Sequence, residues 1–368
     1  MITEIGLRNF KCFEEQRVRL SAFNLLSGLN GMGKSTLLQT LLLLRQSFQQ
    51  GLLPDTGLAL NGDLVAVGTA QDALFKGARE DVIGFTLGWD DGMTANWTFA
   101  YNRKADVLSP ISVPEINVYS RSVFGDECIY LSAERIGPRT SFGVSEFSVR
   151  QHRQLGSHGE FAVDFLNEFG DEQVPEILQH PRALSGSLRD QVEAWMSEFS
   201  PGTRLHFNPH REMDLVGLQY SVLGENLTSE PVRPTNFGFG ITYVLPVLTA
   251  TLAARQGSTL LIENPEAHLH PRGQVIMGDL LTRAAAGGVQ VIVETHSDHV
   301  LNGTRIAVHR GIIEPEMVWL HYFQRPRGSA TTTLESPRID RNGRIDVWPD
   351  GFFDEWSKSL DELLEPAV

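Results

Sequence analysis

Three scarcities narrow the function of this chain before any motif is read. Only two of its 368 residues are cysteines, Cys12 and Cys128, and they form no CxxC pair. A disulfide framework and a cysteine-based zinc site are therefore set aside, and a reducing, cytoplasmic setting is expected. Basic residues are outnumbered, with 31 Lys and Arg against 45 Asp and Glu for a net charge of -14. Such a chain does not coat nucleic acid with its whole surface, because neutralising phosphates takes a surplus of cations on the contact face. No run of about 18 apolar residues occurs, and Met1 leads into an alternating segment rather than a basic stretch and an apolar core, so neither a membrane span nor an export signal is expected. What is present is a hydrophobic content of 41%, enough for one large core or two smaller ones.

Alternation from Ile2 to Phe10 and again from Cys12 to Leu20 predicts two strands, followed by a short apolar strand over Phe23–Ser27, a glycine-rich turn over Gly28–Gly33 and an apolar helix over Lys34–Gln50. Short strand candidates follow at Val82–Leu87, Asn96–Ala100 and Ile116–Tyr119, and read as an antiparallel flank. Ile129–Ser132 reads as a buried strand. Helical periodicity between Phe161 and Phe199, interrupted by Pro175 and Pro181, suggests a small helical insertion. Beyond an irregular stretch come a helix over Tyr243–Arg255, a strand over Thr259–Ile262, a helix over Gln274–Ala286 and a strand over Val289–Glu294. That alternation implies an α/β fold whose mixed or parallel sheet is flanked by helices. The expected divisions are an N-terminal lobe over 1–140, a mostly helical insertion over 141–230, a C-terminal lobe over 231–310 and an extension over 311–368.

Gly28-Leu29-Asn30-Gly31-Met32-Gly33-Lys34-Ser35 matches GxxxxGK[ST] at every fixed position, with a strand before it and a helix after it. The glycines permit the backbone angles that turn successive N–H groups toward phosphate oxygens. Lys34 supplies a point charge for the β- and γ-phosphates, Ser35 a hydroxyl for Mg²⁺, and the helix N-terminus a partial positive charge. ATP with Mg²⁺ is the expected ligand. Thr259–Ile262 followed by Glu263-Asn264-Pro265-Glu266 has the form of a Walker B strand that delivers a carboxylate to the metal. About 30 residues on, Val291-Ile292-Val293 runs into Glu294-Thr295-His296-Ser297, where His296 can reach the γ-phosphate or the attacking water; a histidine merely satisfied in a strand-to-helix turn is the alternative.

Taken together, Gly28–Thr36 with Asn30, Asn236-Phe237-Gly238-Phe239-Gly240, Leu261–Pro271 (LIENPEAHLHP) and Glu294–Ser297 resemble the ABC/SMC-type ATPases of the OLD-like prokaryotic group. The resemblance implies an ABC-type ATPase head. It also implies that Asn30, Gly31, Gly33, Lys34, Ser35 and Thr36 bind ATP, that Ser35 and Glu263 hold Mg²⁺, and that Gly238 and Gly240 close over the γ-phosphate of a head-to-tail partner subunit. Ile345–Asp354, with Trp348, Phe352 and Phe353, resembles the ending of a bacterial subfamily whose C-terminal domain has no assigned function, and its large apolar groups are expected to seal the domain.

This sequence departs from that family at the Walker B end, where Asp then Glu is usual and Glu263 then Asn264 stands. An amide cannot take a proton from water. Glu263 then serves twice, or Glu266 assists, or hydrolysis is slow; Glu266 assisting is preferred, which makes Glu263, Glu266 and His296 the expected catalytic residues. Gln71 and the Glu134-Arg135 turn are the candidates for a glutamine loop. The function implied is a nucleotide-gated dimeric switch in DNA-linked defence or repair. With about 70 residues after His296, too few for a Toprim domain, a nuclease-like effector is expected on a separate chain. DNA contact would fall to Arg150, His152 and Arg153 or to Arg204, His206, His210 and Arg211. The alternatives are a self-contained metal-dependent nuclease using Glu266, His268 and His270, and a transporter-associated ATPase.

Overall fold

The computed structural model describes residues 1–224, 229–326 and 331–365. Its centre is a six-stranded sheet in the order Thr333–Glu335, Val318–Gln324, Phe23–Gly28, Gln290–Glu294, Thr259–Glu263, Cys128–Leu131, all parallel except the Thr333–Glu335 edge. Apart from the largely exposed Thr333–Glu335 edge, these strands are covered on both faces, which is why they read as apolar runs. One face, with Leu26, Tyr130, Leu261, Ile292 and Phe323, packs toward the Lys34–Gln49 helix and a five-stranded antiparallel sheet built from Ile2–Phe10, Phe13–Arg19, Val82–Trp89, Thr94–Ala100 and Pro110–Ser112. The other, with Phe23, Leu25, Leu260, Ile262 and Leu320, packs toward the helices Phe239–Ala253, Pro271–Ala286 and Asp298–His309. The Lys34–Gln49 helix lies between two sheets, so its leucines at 37, 38, 41, 42, 43 and 44 are all buried and it shows no single apolar stripe. Among the described residues no helix is long and apolar enough to cross a membrane.

Three expectations need correction. Residues 141–230 are not mostly helical. Beside the helices Ala162–Phe169 and Leu188–Phe199 they carry an antiparallel sheet of Ser141–Gly143, Leu215–Val222 and Thr203–His210. Its signal was the alternation of Val216, Leu218 and Tyr220, all fully buried, which Pro209 and the turn at Asp214 obscured. Ile116–Ser120 is a 3₁₀ turn, not a strand. Position 311 is no boundary of the central sheet: Val318–Gln324 pairs in parallel with Phe23–Gly28, Phe323 lying opposite Gly28. That pairing explains one glycine, since a Cβ on Gly28 would meet the Phe323 carbonyl oxygen at 2.2 Å.

The C-terminal aromatics divide. Phe352 is fully buried against Tyr322, whose hydroxyl donates to the Asp350 carbonyl at 3.0 Å, whereas Trp348 is 46% exposed. The closing helix, Glu355–Leu364, leaves Trp356, Leu360, Leu363 and Leu364 exposed.

Candidate nucleotide site

The Gly28–Ser35 loop leaves the central sheet at the C-terminal end of its strand, where ligands bind in open α/β sheets. Gly28, Gly31 and Gly33 all have positive φ, and a Cβ on Gly33 would meet Cys12 Sγ at 2.7 Å and the Phe13 ring at 2.8 Å. Asn30, Gly31, Gly33, Lys34, Ser35 and Thr36 line one open cleft of ≈ 340 Å³, whose other walls include Lys11, Cys12 and Glu294. Lys34 is buried; its Nζ donates to the carbonyls of Gly28 at 2.8 Å and Leu29 at 3.0 Å and lies 3.9 Å from Glu294 Oε1. Burial lowers its pKa and the Glu294 charge opposes that.

Glu263, Glu266 and His296 gather at the ends of the neighbouring strands. Parallel pairing sets Glu263 opposite Glu294. Glu263 accepts from Tyr130 Oη at 3.0 Å and from the Ala133 N–H at 3.2 Å. Glu266 Oε1 accepts from the His296 N–H at 2.9 Å, while its buried Oε2 has no partner. Burial first of all raises the Glu266 pKa. The His296 side chain is exposed at the rim. Partial desolvation and then the Lys34 charge lower its pKa, which keeps the imidazole neutral at pH 7.

Gly238 and Gly240 stand apart: among the described residues neither lines the cleft. Gly238, at φ 109, caps the Phe239–Ala253 helix. Asn236, Gly238 and Phe239 are exposed. Gly240 is pinned, since a Cβ there would meet the His268 carbonyl oxygen at 2.6 Å.

The sequence left four residues of the site without an assigned role, Arg135 among them except as half of a glutamine-loop candidate. Lys11, at φ 51 between the first two strands, donates to Gln39 Oε1 at 2.6 Å on the cleft wall. A lysine in the left-handed region is an uncommon backbone state. Tyr130 arrives from a strand 133 residues away from Glu263. Arg135, buried, donates to the carbonyls of Ser132 at 3.0 Å, Glu263 at 2.7 Å and Asn264, and lies over the Tyr243 ring. Of the two glutamine-loop candidates it alone reaches the site, whereas Gln71 is exposed and bonded to Arg103.

Glu294 is the fourth. Burial, then the charge of Glu263, raises its pKa to about 7, against the Ser35 hydrogen bond and Lys34. Its folded pKa therefore exceeds the unfolded value of about 4.3. Between those two values the folded protein holds a proton that the unfolded chain has released, so this group's contribution to stability falls as pH rises from about 4.3 to about 7. Glu294→Gln is expected to gain stability relative to wild type across that window, read as urea midpoints at several pH values; a pH-independent difference would refute it.

The other candidates fare less well. His270 accepts from the Arg272 N–H as a helix cap and His268 packs against Tyr243 and Phe239. Among the described residues no three His, Cys, Asp or Glu side chains are placed to hold a metal ion, as a self-contained metallonuclease needs. The proposed phosphate contacts are largely occupied. Arg150 pairs with Glu168, His152 with Asp126, Arg153 with Glu172 and Arg204 with Glu193, and His206 bonds Ser221. The Arg211 side chain lies outside the described residues. For magnesium the oxygen-only set of Ser35, Glu263 and Glu294, with a partnerless buried oxygen on Glu294, fits a hard cation that takes one or two carboxylates and shares the nucleotide's phosphates. Bound there, Mg²⁺ would supply charge neutralisation at the β- and γ-phosphates.

Comparison with known proteins agrees with this geometry. No curated protein matches the chain. Among solved structures, an SMC head domain with an extended coiled coil bound to the C-terminal domain of ScpA, derived from Pyrococcus furiosus, is 13% identical, with 99% of each chain covered and a TM-score of 0.50. The SMC head domain from Thermotoga maritima is 11% identical over 91% of this chain and 98% of its own, with a TM-score of 0.48. The first likeness supports the fold, an α/β ATPase head. A family described as "Protein of unknown function (DUF3696)" matches residues 313–363, and one described as "AAA ATPase domain" matches residues 1–85, taking in the phosphate loop. Residues 66–302, more than half of the chain, match a third family. With its phosphate loop and strand-end carboxylates in one site, the chain belongs to the family described as "AAA domain, putative AbiEii toxin, Type IV TA system".

Proposed function

We propose that this ATPase-family chain is a nucleotide-gated switch: two copies close head to tail around ATP and Mg²⁺, each phosphate loop completed by Gly238 and Gly240 of the other copy, and hydrolysis reopens them. The observation that carries this reading is the separation of the two glycine motifs. The loop around Lys34 is built into its own cleft, while the glycine turn at Gly238 stands exposed at the N-terminus of a 15-residue helix, an anion-binding end with no phosphate of its own. Mass measurement by light scattering tests it. Wild type is expected to double in mass with ATP, and Gly240→Asp to stay monomeric. Because a Cβ at Gly240 also crowds His268, Asn236→Asp, at an exposed position, adds the repelling charge without that clash. ATP-driven doubling in both variants would refute the reading.

Within this switch Glu266 acts as the base that Asn264 cannot be. What supports it is a buried, partnerless oxygen and a raised pKa beside His296. Glu266→Gln is expected to lower ATP turnover by about 10²–10⁴-fold while ATP still drives dimerisation; turnover at the wild-type rate would remove Glu266 from the chemistry. The setting read here is prokaryotic DNA-linked defence or repair, with a nuclease-like effector on a separate chain. The exposed Trp356, Leu360, Leu363 and Leu364, flanked by Glu355, Asp361 and Glu362, suit a partner whose apolar groove is rimmed by basic residues. With Arg150, His152, Arg153 and Arg204 already paired to carboxylates, DNA enters this reading as the trigger sensed by the assembly.

A further inference from the structure

Glu263 and Glu294 stand side by side at the C-terminal edge of the central sheet, yet their surroundings differ. Both oxygens of Glu263 are engaged from the neighbouring strand and its loop, Oε1 by the Tyr130 hydroxyl and Oε2 by the Ala133 N–H. Glu294 instead meets the phosphate loop. Its Oε1 accepts from Ser35 Oγ at 3.1 Å and lies 3.9 Å from Lys34 Nζ, its Oε2 is buried without a hydrogen-bond partner, and the residue lines the cleft. A buried carboxylate oxygen with no donor is costly to keep, and a cation is the chemistry that satisfies it.

We propose that Glu294, rather than the Walker B carboxylate Glu263, holds the nucleotide's magnesium directly together with Ser35. Glu263, fixed by Tyr130 and Ala133, is an outer carboxylate that adds charge and orients the ion's water. The assignment rests on the ATP-site reading and departs from the sequence expectation of Ser35 with Glu263, because the phosphate-loop pattern gives no carboxylate role to the residue before Thr295-His296. It also accounts for Glu294 being the strand-end carboxylate in hydrogen-bond contact with the loop hydroxyl. Magnesium takes one or two carboxylates, keeps several waters and shares the phosphates, so a hydroxyl and a carboxylate 3.1 Å apart are sufficient protein donors.

Calorimetric titration of the full chain with adenylyl imidodiphosphate, in Mg²⁺ and in EDTA, tests this without turnover. Wild type is expected to bind more tightly in Mg²⁺. Glu294→Gln should lose that gain, its affinity in Mg²⁺ falling by about tenfold or more to its own value in EDTA, and Glu263→Gln should retain most of it. Glu294→Asp, which keeps the charge at shorter reach, should recover part of the gain and serves if the Gln variant does not fold. A full magnesium gain in Glu294→Gln or Glu294→Asp that vanishes in Glu263→Gln would overturn the proposal, as would equal loss in both Gln variants. Absence of wild-type binding in either buffer would overturn the ATP reading itself, a distinct failure.

Discussion

Lys34→Ala is expected to reduce ATP turnover by about 10²-fold or more and to abolish the magnesium-dependent tightening of nucleotide binding. The side chain does two things. Its Nζ ties together the Gly28 and Leu29 carbonyls, holding the turn of the loop, and in the proposed ATP complex its charge would face the phosphates. Both losses fall on the same step, so binding and turnover should drop together rather than turnover alone. The substitution also leaves Glu294 buried without its ammonium neighbour, so the Glu294 carboxyl should protonate at still higher pH. Lys34→Arg does not rescue this: a planar fork cannot replace a compact ammonium wedged between two carbonyls of a tight turn. Turnover and binding measured side by side decide it, and wild-type turnover in Lys34→Ala would mean that the loop does not serve ATP.

How far the sequence could foretell this site depends on how local each part is. The phosphate loop was fully legible, since strand, glycines, lysine and helix are contiguous and their spacing is the chemistry. Four of the central strands, Phe23–Gly28, Cys128–Leu131, Thr259–Glu263 and Gln290–Glu294, were legible as apolar runs; Val318–Gln324 was not, nor was the order, because which strands pair is decided by packing across long sequence separations. That is why Glu294 was read as part of a segment serving His296. Only the parallel register that places it beside Glu263, and the loop that carries Ser35 to its Oε1, turn it into a carboxylate of the phosphate site. Arg135 was visible only as half of the Glu134-Arg135 turn, a glutamine-loop candidate with nothing local to show which carbonyls it would reach. The sheet within residues 141–230 fell to a different cause: its alternation is present, but a proline within the Thr203–His210 strand argues against a strand, and the stronger helical periodicity upstream dominates. Trp348 was expected to be buried on composition alone, yet one aromatic of a cluster can seal the core while its neighbour faces water.

Arg135→Ala is expected to destabilise the fold by several kcal/mol, at about 1–3 kcal/mol for each buried carbonyl left without its donor. Almost wholly buried, the guanidinium ties the Ser132 carbonyl to those of Glu263 and Asn264. It thus fixes the end of the Walker B strand against the loop after Cys128–Leu131. Burial lowers its pKa to about 10, so it stays charged at neutral pH, and its charge in turn holds down the Glu266 pKa. Alanine therefore strands three carbonyls and removes the cation that steadies Glu263 and Glu266. Lysine restores the charge but cannot reach all three acceptors from one nitrogen, so Arg135→Lys should recover only part of the stability. A second readout separates this from a packing defect. If Glu266 is the base, the acid limb of the pH–turnover profile should move to higher pH in Arg135→Ala, because the Glu266 carboxyl loses a stabilising positive neighbour. Urea midpoints and pH profiles of the two variants give both answers. An unshifted acid limb in a destabilised Arg135→Ala protein would confine Arg135 to the scaffold and leave Glu266 without the neighbour that tunes it.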